Sequence, residues 1–125
     1  MPEKIKKLNL CDSLCERGWF LGHFAKIPEL NNEEVEAQIV KLEDGEKKGK
    51  IAFNKKGKTL TMLLSEGGEI KISFPDENEE VVLNKKGDFV IFSEKINHTW
   101  ECKKKAEILT IRWPSLPNDV IEKNI

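Results

Sequence analysis

The stretch GDFVIFSEKINHTW, residues 87–100, joins a glycine, a short apolar run and a histidine that stands two residues before a tryptophan. Gly87 ends a polar Asn-Lys-Lys-Gly turn that begins at Asn84. A short apolar run bounded by turn residues, here Asp88–Phe92, is typical of a β-strand. A second strand is predicted over His98–Cys102, so that the histidine lies at the start of a strand.

The same pattern of short strands and polar turns extends along the chain from Trp19 onward, where short apolar or alternating runs are separated by Gly, Asn, Asp and Lys. About eight to ten short strands at near-regular spacing indicate a sandwich or a barrel. We therefore expect an all-β fold. The remaining predicted strands are Trp19–Phe24, Val35–Leu42, Ile51–Phe53, Leu60–Leu64, Glu69–Phe74, Val81–Leu83 and Ala106–Trp113.

Two of these segments carry further information. In residues 35–42, Val35, Ala37 and Ile39 alternate with polar residues, as expected when one face is buried. A helix over 32–41 is the alternative, because Glu and Ala favour helices. Residues 60–64 and 69–74 are predicted to form a hairpin, because the intervening Gly67-Gly68 can supply positive φ angles.

Length limits the chain to one domain, since its 125 residues lie within the usual single-domain range. We expect a lead-in over 1–18, a β-barrel over 19–117 and a C-terminal tail over 118–125. Pro114 and Pro117 are predicted to end regular strand pairing.

Charge and composition argue against several classes of partner. The 21 basic and 22 acidic residues leave no positive excess for nucleic acid, and arginine occurs only at positions 17 and 112. No apolar run approaches the roughly 20 residues that span a bilayer. The charged N-terminal residues 1–10 lack the apolar run of a signal peptide. We expect a cytoplasmic protein, without nucleic-acid or membrane partners, whose three cysteines are reduced.

Residues 87–113 resemble the second conserved motif of the cupin superfamily, which runs Gly-x5-Pro-x-Gly-x2-His-x3-Asn. His98 stands at the motif's histidine, while Ser93, Lys95 and Cys102 replace its Pro, Gly and Asn. Residues 109–115 are also similar to a group of small single-domain cupins. The resemblance covers residues 58–115 and weakens over 19–57. It implies an RmlC-like jelly-roll barrel around one small-molecule cavity, and a homodimer, as small cupins often form.

The first cupin motif, which would supply His-x-His and Glu as metal ligands, is degenerate here. Counting back from Gly67 or Gly68 puts its Glu at Leu60 or Thr61 and its histidines within Phe53–Lys56. None of these positions holds His or Glu. We therefore expect no metal and no other cofactor.

Two other metal sites stay open as alternatives. His98 and Cys102 lie four residues apart and would share a strand face, where they could help hold a divalent transition metal. Cys11 and Cys15 form a C-x3-C pair that could join His98 or His23 around zinc. Free cysteines in such a protein are more often small buried hydrophobes.

The candidate residues of a ligand pocket are His98, Trp100, Arg112, Met62 and Phe92. His98 could act as a general base or bind a ligand, or could pair with a backbone group. Trp100 shares its predicted face and could stack on a planar ligand, whereas most other aromatic residues are expected in the core. Arg112 must pair with an acidic neighbour on an adjacent strand or clamp a ligand carboxylate.

These residues support three functions. The leading hypothesis is a metal-free domain that binds a small molecule of unknown identity. The alternatives are an atypical cupin enzyme, an isomerase or a metal-dependent oxygenase that uses His98 with non-standard ligands, and a dimerising scaffold with a filled barrel.

Overall fold

The computed structural model describes residues 4–12 and 16–125. Ten β-strands dominate it, and its helices are short 3-10 turns. The strands are β1 (Trp19–Leu21), β2 (Glu36–Leu42), β3 (Lys50–Asn54), β4 (Lys58–Leu63), β5 (Glu69–Phe74), β6 (Glu79–Leu83), β7 (Phe89–Phe92), β8 (Thr99–Lys104), β9 (Ala106–Trp113) and β10 (Val120–Asn124). The turns are Leu10–Asp12, Glu16–Gly18, Pro28–Leu30 and Pro75–Glu77. The predicted all-β class is confirmed, and residues 36–42 form a strand rather than a helix.

Two antiparallel layers face each other. One is a five-stranded sheet in the order β1-β2-β9-β4-β7. The other combines the β6-β5-β8 and β10-β3 sheets. Two isolated bridges join these sheets, one between Ala52 and His98 and one between Lys47 and Glu101. The chain crosses between the layers at most connections, as in a jelly roll.

The predicted hairpin of residues 60–74 is wrong. β4 pairs with β7 and β9, while β5 pairs with β6 and β8 in the opposite layer. The turn at Gly67 has the expected positive φ of 75°. It carries the chain across the barrel instead of back along the same sheet, because both strands have an apolar face to bury in the common core.

The core lies between the layers and is built from alternate strand positions. Ile70, Ile72 and Phe74 of β5 are each at most 5% exposed, as their spacing predicts. Leu63 and Cys102 close the same cluster and are fully buried. This cluster therefore fills part of the interior of the barrel.

The expectation that regular pairing ends at the two prolines is also wrong. After Pro117 the chain resumes as β10, which pairs with β3 over five residues. The buried carboxylate of Asp119 fixes the start of this strand. It accepts hydrogen bonds from Asn54 Nδ2 at 3.0 Å and from the amides of Lys56 and Gly57 at 2.9 Å.

No helix within residues 4–12 and 16–125 is long and apolar enough to cross a membrane.

Candidate ligand-binding site

A cavity of about 370 Å³ lies between the two layers and shares wall residues with the core cluster. Strands β2, β4 and β9 line it on one side, and β5, β8 and β10 on the other. This volume lies at the small end of the range for ligand sites, roughly 300–1,000 Å³. The interior thus has room for a small molecule.

Four of the five predicted pocket residues line this cavity, namely Phe92, His98, Trp100 and Arg112. Met62 does not. Its neighbour Thr61 lines the cavity, and alternation along β4 places Met62 on the outer face of the sheet. Phe89 likewise lies outward and is 52% exposed, so it is not the core residue that its aromatic character suggested.

His98 is held rigidly at the cavity wall. Its amide and carbonyl exchange hydrogen bonds of 2.9 Å with Ala52, and its ring lies 4.6 Å from the Phe92 ring between centroids. Its Nδ1–H donates to the carbonyl oxygen of Ile96 at 3.1 Å, which leaves Nε2 as an acceptor. Burial lowers the pKa of His98 to about 4, with a smaller contribution from the positive charges of Arg112 and Lys48. The imidazole is therefore neutral at physiological pH.

The turn before His98 adopts the geometry that the cupin motif leads one to expect. Lys95, at the position of the motif's second glycine, has a φ of 67°. This left-handed conformation favours glycine. The amide of Lys95 donates to the carbonyl of Asn54 at 2.7 Å, which joins the turn to the end of β3. Lys95 therefore replaces the motif's glycine but keeps the left-handed backbone conformation that favours glycine.

Arg112 lies at the opposite side of the cavity. It has an acidic partner on an adjacent strand, which is one of the two arrangements expected from the sequence. Its Nη1 lies 3.5 Å from Glu36 Oε2, and the two residues are direct partners in the β2–β9 register. The guanidinium also stacks over Trp19, with Cζ 4.8 Å from the ring centroid. Burial lowers the pKa of Arg112, although nearby carboxylates oppose the change.

A second buried cluster lies behind Arg112. Ser115 Oγ accepts hydrogen bonds from the His23 amide at 2.9 Å and from His23 Nδ1–H at 2.8 Å, and donates to Glu36 Oε1 at 2.9 Å. These residue types match a hydrolytic triad, but the serine is fully buried and its hydroxyl is already bonded to both partners. The cluster instead ties the C-terminal loop to β2, beside a second cavity of about 340 Å³.

Solved structures of other proteins share this architecture. A cupin superfamily protein from Desulfitobacterium hafniense superposes with a TM-score of 0.56 and 20% identity, over 66% of this chain and 70% of that one. A cupin protein from Bacteroides fragilis gives a TM-score of 0.61 and 17% identity, over 94% and 89%. An RmlC-like cupin from Shewanella frigidimarina gives 0.55 and 14%, over 70% and 72%. The chain has a cupin-superfamily fold. No protein-family model and no curated protein matches its sequence.

The residues present do not fit the metal site that the cupin resemblance implies. Within the described chain, no group of three or more His, Cys, Asp and Glu side chains could hold a metal ion. At the first-motif positions, Asn54 bonds Asp119 and Thr61 offers only a hydroxyl. Among the His, Cys, Asp and Glu residues of the second motif, only His98 lines the cavity.

The cysteine alternatives gain nothing from the structure. Cys102 is fully buried and does not line the cavity, and its Sγ–H donates to the Lys104 carbonyl at 3.2 Å. Burial raises the pKa of Cys102, which disfavours the thiolate that a metal would need. Cys11 is exposed and free, and Cys15 lies outside the described residues.

Sequence reasoning missed most of the polar wall of this cavity. Thr59, Thr61 and Thr110 face inward from neighbouring strands, and Gln38 joins them from β2. Lys48 and Glu122 meet at the opposite wall with a 3.0 Å ion pair. Polar residues that alternate within an apolar strand were the available signal for the threonines. The ion pair joins positions 74 residues apart (122 − 48), which no local pattern reveals.

Proposed function

We propose that this chain is a small-molecule-binding domain that works without a metal and takes its ligand in the cavity between the two layers. One observation carries the proposal: the cavity of about 370 Å³ is open and lined by aromatic, hydroxyl and charged side chains together. Ligand sites combine an apolar wall with a few placed polar groups in this way.

The open cavity also weighs against the scaffold alternative, which requires a filled barrel. The enzyme alternative needs a metal or an acid–base partner beside His98. The Nδ1 of His98 bonds only a backbone carbonyl among the described residues, and the pKa of about 4 makes the imidazole a weak base at neutral pH. A hydrogen bond from the ligand to Nε2 is the role that its geometry supports.

The metal-free part is tested by elemental mass spectrometry of protein purified without affinity-tag metal, beside His98→Ala and His23→Ala variants. We expect all three samples to contain far less than one transition metal per chain. Near-stoichiometric metal that disappears only in His98→Ala would overturn the metal-free proposal and favour an atypical cupin enzyme.

The binding part is tested with two neighbouring substitutions on β4. Thr61→Phe fills the cavity, whereas Met62→Phe adds a ring on the outer face. A library of small metabolites is screened by the shift in melting temperature, since a ligand that binds only the folded state stabilises it. We expect hits that Thr61→Phe abolishes and Met62→Phe retains. Hits that survive in both variants would place binding elsewhere.

We also propose that the chain forms a homodimer through the outer face of the five-stranded sheet. Phe89 and Ile91 of the edge strand β7 are 52% and 56% exposed. Alternation places Leu60, Met62 and Ile111 on the same face as these two residues. An apolar face suits a second copy, because an isologous contact sets each patch against itself and like charges would repel. A cytoplasmic location stays a prediction.

A further inference from the structure

We propose that the cavity selects a small planar carboxylate, with the carboxylate group at the Arg112 end and the planar part between the aromatic side chains. This inference rests on the proposed function, because it names the class of molecule that the proposed site would take.

The charges around the cavity leave a positive excess. Arg17, Lys48 and Arg112 line it together with one carboxylate, Glu122. Lys48 pairs with Glu122 at 3.0 Å. The Nη1 of Arg112 lies 3.5 Å from the carboxylate of Glu36, which lines the second cavity. The cavity lining itself thus carries three cations and one carboxylate, while Glu36 and Asp119 face Arg112 from the second cavity. A negatively charged ligand offsets the positive excess of the lining, whereas a cationic ligand would add to it.

The guanidinium of Arg112 has donor capacity to spare. Its contact with Glu36 at 3.5 Å is long for a hydrogen bond. Its Nε is buried without a hydrogen-bond partner among the described residues. Because the guanidinium stacks on Trp19, its face is covered while its edge keeps the fork of N–H groups that matches a carboxylate.

A hydroxyl lies beside this guanidinium. Thr59 is the direct partner of Arg112 in the β4–β9 register, so their side chains are neighbours on the inner face. The Thr59 Oγ1 atom is likewise buried without a partner in the described chain. A carboxylate at this end would accept from both residues after a small shift of their side chains, because both polar atoms are buried. Two unpaired polar groups on adjacent strands therefore mark the same end of the cavity.

The remaining walls suit a flat apolar body. Trp100, Phe92 and His98 line the cavity with Ile72 and Ile108. Flat rings stack favourably on such aromatic side chains. The neutral state of His98 is consistent with this arrangement: burial, together with the positive charges of Arg112 and Lys48, lowers its pKa.

The test compares matched carboxylates and amides by isothermal titration calorimetry. The probes are benzoate against benzamide, and indole-3-carboxylate against indole-3-carboxamide. In the wild-type protein, at least one carboxylate should bind about tenfold or more tightly than its amide. Arg112→Gln should remove this preference. Lys86→Gln removes the same charge from an exposed turn and should leave the preference unchanged.

Two further variants keep the test informative if Arg112→Gln does not fold. Glu36→Gln removes the negative charge that competes for Arg112 and should strengthen carboxylate binding several-fold. Thr59→Val keeps the side-chain shape without the hydroxyl and should weaken carboxylates more than amides.

The failure of this inference differs from the failure of the proposed function. Amides that bind as tightly as carboxylates would leave a binding site but overturn its anionic specificity. A preference that Lys86→Gln reduces as much as Arg112→Gln would also overturn it, since net charge alone would then explain binding. Absence of binding by every probe and by the wider metabolite library would overturn both.

Discussion

His98 links the stability of the fold to pH. Its pKa is about 4 in the folded protein, mainly because of burial, against about 6.5 for an unperturbed histidine in the unfolded chain. Between these values the unfolded chain binds a proton that the folded chain does not. The free energy of unfolding should therefore fall as pH falls from about 6.5 to 4, by at most about 3 kcal/mol.

Urea denaturation of the wild type and of His98→Gln, from pH 7 to pH 4, measures this contribution. Both proteins lose stability as carboxylates protonate, so the informative quantity is the difference between their unfolding free energies. We expect that difference to move in favour of the variant as pH falls. Parallel curves would show that the histidine is not desolvated as its burial indicates.

At the residue scale, the sequence was most informative where chemistry and spacing act together. His98 and Trp100 were placed in the cavity because they follow a recognisable turn and lie two residues apart on one strand face. Arg112 was singled out because a charge within an apolar strand needs a partner, and Glu36 supplies it. Met62 was misplaced because β4 after Lys58 has apolar or uncharged residues on both faces, so its pattern does not say which face is inside.

At the element scale, β10 depends on the carboxylate of Asp119. Replacing Asp119 with Ala leaves two buried donors, from Asn54 and Gly57, and a partly buried one, from Lys56, without their acceptor. We expect a loss of about 3 kcal/mol in the free energy of unfolding. Faster amide hydrogen exchange in β10 should accompany it, because the strand loses its attachment to the turn after β3.

The chain provides a matched control in its second Asn-Lys-Lys-Gly turn. There the adjacent Asp88 accepts from the amides of Asn84 and Lys85 at 3.2 and 3.0 Å, in an exposed setting. Asp88→Ala should cost less than about 1 kcal/mol, because water replaces the lost acceptor. Equal losses for the two substitutions would contradict a special role for Asp119.

The same comparison explains why β10 was not predicted. All five of its residues are exposed, so it shows no alternation of buried and exposed positions. Its position depends instead on one distant carboxylate.

In β2 the alternation correctly predicts a strand, but the polar residues Glu36 and Gln38 face the interior, while Ile39 lies on the outer face. A polar cavity reverses the usual relation between polarity and exposure.

At the scale of the whole molecule, local signals identified most strands but could not assign them to layers. The glycine-rich turn at 67–68 suits a hairpin, yet β4 and β5 belong to opposite sheets. The deciding factor is the common core, into which both strands direct apolar side chains. The cupin resemblance predicted the correct fold because it carries this long-range arrangement, which turn chemistry alone does not contain.

The outer face of the five-stranded sheet gives the prediction that concerns the whole particle. Ile91 is 56% exposed on the edge strand β7, within the apolar face proposed to bind a second copy. Ile91→Lys should convert a dimer to a monomer, because a two-fold contact would bury two new charges without partners. Light scattering coupled to size-exclusion chromatography, across low to high micromolar protein, measures the mass.

Val82→Lys is the matched control, since Val82 is 46% exposed on β6, an edge strand of the other layer. It adds the same charge to an exposed aliphatic position outside the proposed interface and should leave the dimer intact. A wild-type monomer at every concentration would contradict the homodimer. A dimer that only Val82→Lys dissociates would move the interface to the β6 side. If Ile91→Lys is monomeric and Val82→Lys remains dimeric, the apolar outer face of the five-stranded sheet forms the dimer interface. The cavity inside the barrel then remains available to a ligand.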